Sequence, residues 1–295
     1  MTRTLWPRIM LIGKNGQVGW ELQHTLAPLG EVAALDRQQL DLSDPKQIRE
    51  RVREIKPNLI VNAAAYTAVD KAEIDRGLAM AINGNAPGIL AEEAKRIGAA
   101  IVHYSTDYVF DGTKITPYTE EDAPNPINEY GRTKLAGEQA VRASGTPYII
   151  VRTSWVYGMR GNNFLLTILR LAREREELKI VNDQTGAPTW SRAIAEATGN
   201  ILSGGQKHLD ATSGIYNITA SGSATWYEFA KAIVKLDPNA REQICKHIKP
   251  IPSVEYPTPA RRPTYSLLSN SKLKDVFGLV LNDWEQELKM SLYSS

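Results

Sequence analysis

Short apolar runs alternate with stretches whose apolar residues recur every three or four positions, and this alternation governs the first half of the chain. Arg8–Ile12 is an apolar run closed by Gly13, after which residues 17–28 carry Val18, Leu22 and Leu26 at helical spacing. Residues 32–35 predict a second buried strand, Pro45–Ile55 a polar helix capped by Ser43 or Asp44, and residues 59–61 a third strand. A long helix follows near residues 78–97, then a fourth strand at 101–104. A proline-rich loop over 116–126 leads to a helix near Glu129–Ala143 and a strand at 149–151. Such alternation predicts an α/β fold, a Rossmann doubly wound parallel sheet with right-handed crossovers.

Beyond about residue 155 the alternation loosens. Residues 164–173, 192–202 and Trp226–Leu236 read as helices, while 215–218 and 248–251 read as strands. The expected organisation is an NAD(P)-binding Rossmann domain over residues 1–155. A smaller C-terminal α/β lobe over 156–295 would bind substrate, with segments returning to the Rossmann core. There is no internal repeat, low-complexity tract or long linker, so both parts are expected in one compact body.

Composition narrows the function classes. With 295 residues, 42% of them hydrophobic and 23% charged, the chain is long enough to bury a large core. Its 35 basic and 33 acidic residues leave a net charge of +2, too balanced to point to nucleic acid or an anionic membrane as partner. Cys245 is the one cysteine, so neither an intramolecular disulfide nor a thiolate metal cage within one chain is possible. The segment from Met1 to Pro7 lacks the features of a secretory signal, and no stretch approaches the roughly 20 apolar residues of a spanning helix. A cytoplasmic location is expected.

Gly13-Lys14-Asn15-Gly16-Gln17-Val18-Gly19 spaces three glycines directly after a strand and at the start of a helix. A side chain at such a turn blocks the backbone from a pyrophosphate, which free amides and the helix dipole would hold. A plain strand-to-helix turn would give the same glycines, so further support matters. Asp36 ends the second strand where a carboxylate meets the adenosine ribose hydroxyls, while Arg37 beside it suits a 2′-phosphate, leaving NADH and NADPH both open. Asp41 and Leu42 lie where an adenine edge would be read. In Asn62-Ala63-Ala64-Ala65-Tyr66-Thr67, small residues let the third strand's end pass close to a flat dinucleotide.

Hydride delivery to a ketone leaves an alkoxide that needs a proton, and Tyr130-Gly131-Arg132-Thr133-Lys134 supplies an acid with a cation one helical turn away. Lys134 is expected to lower the Tyr130 phenol from about 10 and to bond the nicotinamide ribose. Tyr227-Glu228-Phe229-Ala230-Lys231 has the same spacing but lies in the second lobe, and reads as a chance match on an amphipathic helix. At the end of the fourth strand, Ser105-Thr106-Asp107 offers Thr106 to the substrate carbonyl and the tyrosine, with Asp107 beside it on the substrate side.

These stretches, together with Arg152-Thr153-Ser154-Trp155-Val156-Tyr157-Gly158, follow in an order and spacing that resembles the dTDP-4-dehydrorhamnose reductases of the extended short-chain dehydrogenase/reductase family, from about Ile9 through Trp284. The resemblance implies reduction of dTDP-4-dehydro-6-deoxy-L-mannose at C4 by NADH or NADPH. The product would be dTDP-L-rhamnose for surface polysaccharide. It also implies Thr106, Tyr130 and Lys134 as catalytic residues, Gly16, Gln17, Val18, Asp36, Asp41, Leu42, Ala65, Tyr66 and Thr67 against the cofactor, and Trp155 against the substrate. For the diphosphate of such a nucleotide sugar, Arg262 in a proline-rich turn is the candidate cation, and Asn163 with the loop over 182–188 is expected to shape the pocket. Some members of that family form a dimer bridged by magnesium through carboxylates. Glu21 matches one such position, but Arg192 stands where a glutamate would be expected, so no structural metal and a monomer or weak homodimer are expected.

Two rivals differ in testable ways. An epimerase or dehydratase on the same scaffold would keep the Tyr–Lys pair, but dehydratases add an acidic pair beside the threonine, where this chain has Asp107-Tyr108. A non-catalytic NADP-binding regulatory subunit of methionine adenosyltransferase would have no need of the filled catalytic positions.

Overall fold

The computed structural model describes residues 5–293; residues 1–4 of the opening segment considered above as a leader, and the last two residues of the second lobe, lie outside that range. At the centre of the molecule, β1 (Arg8–Ile12) sends Ile9 and Leu11 to one face and Met10 and Ile12 to the other. Both faces are therefore covered, as a parallel sheet requires. Around it lie β2 (Glu31–Leu35), β3 (Leu59–Asn62), β4 (Ala100–Thr106), β5 (Tyr148–Thr153) and β6 (Gly214–Asn217). The order is β2-β1-β3-β4-β5-β6, with every neighbouring pair parallel. The chain reverses its direction of travel between β1 and β3, which opens a crevice at the strands' carboxyl ends.

Helices α1 (Gln17–Leu26) and α2 (Pro45–Ile55) cover opposite faces. Asp44 caps α2, its carboxylate accepting from the Lys46 and Gln47 amides. The helix predicted over 78–97 is present and carries a π-helical turn. α3 (Val69–Ala72) and α4 (Arg76–Met80) precede a π-helical turn over Ala81–Asn85, and only then does α5 (Ala86–Ile97) begin. The turn has a physical reason, because it presents the Asn83 carbonyl to Gly137, where an added Cβ would lie only 2.1 Å from it. Gly137 belongs to α6 (Glu129–Ala143), whose bounds agree with the sequence reading.

Three further helices, α7 (Phe164–Glu174), α10 (Trp226–Leu236) and α12 (Trp284–Tyr293), enclose a separate apolar cluster that includes Leu165, Phe229 and Leu288. A two-stranded parallel ribbon, Glu177–Val181 with His247–Ile251, lies beside them. The intervening α8 (Ser191–Leu202), α9 (Gly205–Ala211) and α11 (Ser271–Phe277) contribute Ile194, Leu209 and Leu273 to the face of the main sheet that α1 covers. β6 also belongs to that sheet, pairing with β5. Sequence periodicity gave 192–202 and 215–218 their helix and strand but left them in the looser second half; their apolar faces return them to the main core. Among the described residues, no helix is long and apolar enough to cross a membrane.

Candidate active site

A cleft of about 770 Å³ runs along the carboxyl ends of the strands, within the range of ~300–1,000 Å³ usual for small-molecule sites. Its floor at one end is the turn after β1. Gly13 adopts φ +90°, and a Cβ there would lie 2.8 Å from the Ala64 amide nitrogen. α1 starts at Gly16 with no side-chain cap and no acidic residue in its first turn, so its first amides and positive dipole end remain available to an anion.

Gly13, Gly16, Gln17, Val18, Asp36, Arg37, Asp41, Leu42, Ala65, Tyr66 and Thr67 all line this cleft. Gly19, expected against the cofactor, is not among the lining residues. A Cβ there would lie 2.0 Å from the Gly13 carbonyl oxygen, so this glycine lets the helix close on the turn. Asp36 accepts from the Gln38 and Gln39 amides at 3.0 and 3.1 Å and pairs with Lys14 at 3.2 Å. Asp41 accepts from the Ser43 amide and hydroxyl at 2.9 and 2.7 Å.

At the far end, β4 and α6 bring Thr106, Tyr130 and Lys134 together in the cleft wall. Asn128 caps α6 by accepting from the Gly131 amide at 2.8 Å, and Gly131 fits only because it has no Cβ, which would lie 2.1 Å from the Tyr108 carbonyl oxygen. The Thr106 side chain acts on the Tyr130 phenol, favouring its ionised form. It also donates to Asp107 Oδ1 at 3.0 Å and accepts from the Tyr108 amide at 3.2 Å. Below them, buried Glu138 takes two hydrogen bonds from Arg152 on β5, at 2.9 and 2.6 Å, and one from Ser105 at 2.5 Å. This buried ion pair anchors α6 to the sheet; removing either partner alone would strand a charge.

The expected lowering of the Tyr130 phenol by Lys134 is not what the protein shows. Although the ring is part exposed to the cleft, desolvation pushes the phenol up to about 12, against the opposing effect of Thr106. Lys134 is itself lowered to about 8 by burial, despite the Glu138 carboxylate. Its Nζ donates to the Tyr104 carbonyl at 2.5 Å and lies 3.4 Å from His103 Nε2. Asp107, also buried, is raised to about 6 by desolvation, and its Oδ2 has no hydrogen-bond partner.

Asp107, Trp155 and Asn163 border the same cleft. Trp155 sits at φ +45°, a left-handed conformation that costs a bulky residue about 1–2 kcal/mol. Asn163 caps α7 and donates to Gln17 Oε1 at 2.8 Å, clasping the second lobe to the glycine turn. Arg262, by contrast, does not line the cleft. Its guanidinium pairs with Asp70 at 2.9 Å and also donates to Thr258 and the Ala260 carbonyl, so its charge is already met. The loop over 182–188 acts from behind the wall: Gln184 Oε1 accepts from Trp226 Nε1 at 3.2 Å, and Gly186 leaves space for the Trp155 ring. Tyr227 and Lys231 make a cation–π contact with each other outside the cleft.

Several residues in the site were not foreseen. Asn83 accepts from the Tyr66 amide at 2.8 Å and donates to the Tyr66 carbonyl at 3.0 Å and Thr133 Oγ1 at 3.2 Å, tying the loop after β3 to α6. His103 and Asn62 stand behind Lys134, 3.3 Å apart. The Asn83-Gly84-Asn85 interruption within an apolar helical pattern was the signal available for the first; the other two required knowing that β3 and β4 are neighbours. At positions 21 and 192, where carboxylates were weighed, Arg192 pairs with Glu21 at 3.1 Å.

Comparison with known proteins agrees with this geometry. Residues 7–295 match the family model described as RmlD substrate binding domain. Over 283 residues the chain is 51% identical to a dTDP-4-dehydrorhamnose reductase of Burkholderia thailandensis, spanning 94% of this chain and 95% of that protein. A crystal structure of a dTDP-4-dehydrorhamnose reductase from Clostridium acetobutylicum matches with a TM-score of 0.90 at 40% identity, covering 97% of this chain and 98% of that one. The Bacillus anthracis dTDP-4-dehydrorhamnose reductase, solved in complex with NADP, matches with a TM-score of 0.88 at 36% identity, covering 98% and 99%.

Proposed function

This chain belongs to the RmlD substrate binding domain family, and on that premise we propose that it is an NAD(P)H-dependent reductase converting the C4 keto group of dTDP-4-dehydro-6-deoxy-L-mannose to the hydroxyl of dTDP-L-rhamnose. The observation that carries this reading is the meeting of Thr106, Tyr130 and Lys134 at one end of a cleft whose other end is the uncapped start of α1. The residues present fit a dinucleotide, since Gly13 leaves no room for a Cβ and the first-turn amides of α1 lack a side-chain cap. Gly13, Gly16, Gln17 and Val18 would hold the pyrophosphate, Asp36 a ribose hydroxyl or Arg37 a 2′-phosphate, and Asp41 with Leu42 the adenine. Ala65, Tyr66 and Thr67 would flank the remainder.

When bound, the reduced nicotinamide supplies the hydride. Tyr130 donates its phenolic proton to the C4 oxygen as that oxygen gains charge, and Thr106 hydrogen-bonds the same oxygen and orients the phenol. Lys134, as an ammonium, stabilises the phenolate that remains. Asp107 and Trp155 border the sugar. A supply of reduced nicotinamide and a single cysteine favour the cytoplasm, where the product would feed surface polysaccharide. The Glu21–Arg192 ion pair supports a monomer or weak homodimer.

The test follows nicotinamide absorbance with each reduced cofactor and dTDP-4-dehydrorhamnose generated in situ. Stoichiometric oxidation is expected, falling about a hundred- to ten-thousand-fold in Tyr130→Phe while cofactor affinity persists. Cofactor binding without oxidation in the unaltered protein would overturn the assignment.

A further inference from the structure

Trp226, the first residue of α10, stacks on Trp155 with ring centroids 3.5 Å apart and planes within 6°. Both indoles line the cleft, one from the loop after β5 and the other from the second lobe. Features on four segments hold the pair in place. Trp155 is kept at φ +45°, a conformation that persists in a large residue only where its surroundings over-determine it. Gly186 stands where a Cβ would come within 2.6 Å of the Trp155 ring. Trp226 Nε1 donates to Gln184 Oε1, fixing the plane of the second indole, and Phe164 packs against it at 4.6 Å. Thr225 and Glu228 form a reciprocal capping box that fixes the turn from which Trp226 projects.

An ordinary core pair would be buried, yet both rings stay half-buried in the wall of the cleft. Adjusting four segments to hold two rings at a solvent-filled surface makes sense if the surface must be ready before a ligand arrives. We propose that Trp226 is a positioning residue for the sugar nucleotide, holding the Trp155 indole as a preformed aromatic wall and thereby setting substrate fit. This rests on the reductase reading above. The chemistry recognised is that of a sugar nucleotide, which offers both a flat base and an apolar sugar face to an indole.

Wild type, Trp226→Leu and Trp226→Phe are compared for turnover of dTDP-4-dehydrorhamnose, for NADPH affinity, and for calorimetric binding of dTDP-L-rhamnose with NADP present. In Trp226→Leu, KM and the dTDP-L-rhamnose Kd are expected to rise about tenfold, with kcat held within about twofold. NADPH affinity, which also reports folding, is expected to stay unchanged, and Trp226→Phe to recover most of the loss because it restores a ring to the stack. Unchanged KM and Kd in Trp226→Leu overturn the proposal, as does a parallel fall in kcat, substrate affinity and NADPH affinity in both variants, which marks a merely structural ring. A wild-type protein that neither turns over nor binds the dTDP-sugar overturns the reductase reading and this inference with it.

Discussion

Tyr130 and Lys134 are one helical turn apart, yet burial moves their acidities in opposite senses, because each loses the solvation of its charged form. A phenol held near 12 keeps its proton across the working range, so the acid is always loaded. The limiting group is then Lys134, whose ammonium is lost as pH rises through about 8. A profile of kcat/KM, which reports groups of the free enzyme, is expected to show an alkaline limb near that value. A profile flat to about 10, the ordinary lysine range, would remove Lys134 from the role given to it. The Tyr130–Lys134 pair was legible because its spacing is local. His103 and Asn62 were not, since nothing in the one-dimensional pattern tells a buried polar residue that supports a lysine from one that satisfies a strand end.

Elements with strong periodicity and clear caps were read to the residue, as for α2, α6 and α10, whereas the π-helical turn inside the helix over 78–97 was not legible, because it answers a tertiary contact with Gly137 rather than a local pattern. A less visible element contact joins α12 to the strand Thr189–Trp190, where Glu287 Oε2 accepts from the Trp190 amide at 3.1 Å. Its Oε1 and the nearby Tyr157 hydroxyl have no hydrogen-bond partner. Burial, with the charges of Glu196 and Asp283 adding to it, raises Glu287 from 4.5 to about 8. Between those values the folded chain holds a proton that the unfolded chain has released, so stability falls as pH rises through that window. Glu287→Gln keeps an amide oxygen for Trp190 and has no charge to bury. Wild type is therefore expected to lose Tm from acid to mildly alkaline pH relative to this variant, by about 3 °C for each kcal/mol. Parallel Tm curves for the two proteins would show that Glu287 titrates normally.

For the whole molecule, what matters is which surface α1 and α8 present together. Both cover the same face of the main sheet, and Glu21 on one meets Arg192 on the other at 3.1 Å. With Arg192 38% exposed, the pair is worth at most about 1 kcal/mol, so breaking it should leave the fold intact and isolate its effect on assembly. The Arg192 guanidinium neutralises Glu21 and would repel a divalent cation there. The molar mass in solution is therefore expected to be the same with magnesium and with chelator. Arg192→Glu reverses the local sign, setting a second carboxylate beside Glu21, where a divalent cation would relieve their repulsion. That variant is expected to gain a magnesium-dependent rise in Tm or in molar mass. A wild-type mass that falls on chelation would mean that the cation is held elsewhere and that the Glu21–Arg192 contact does not govern assembly.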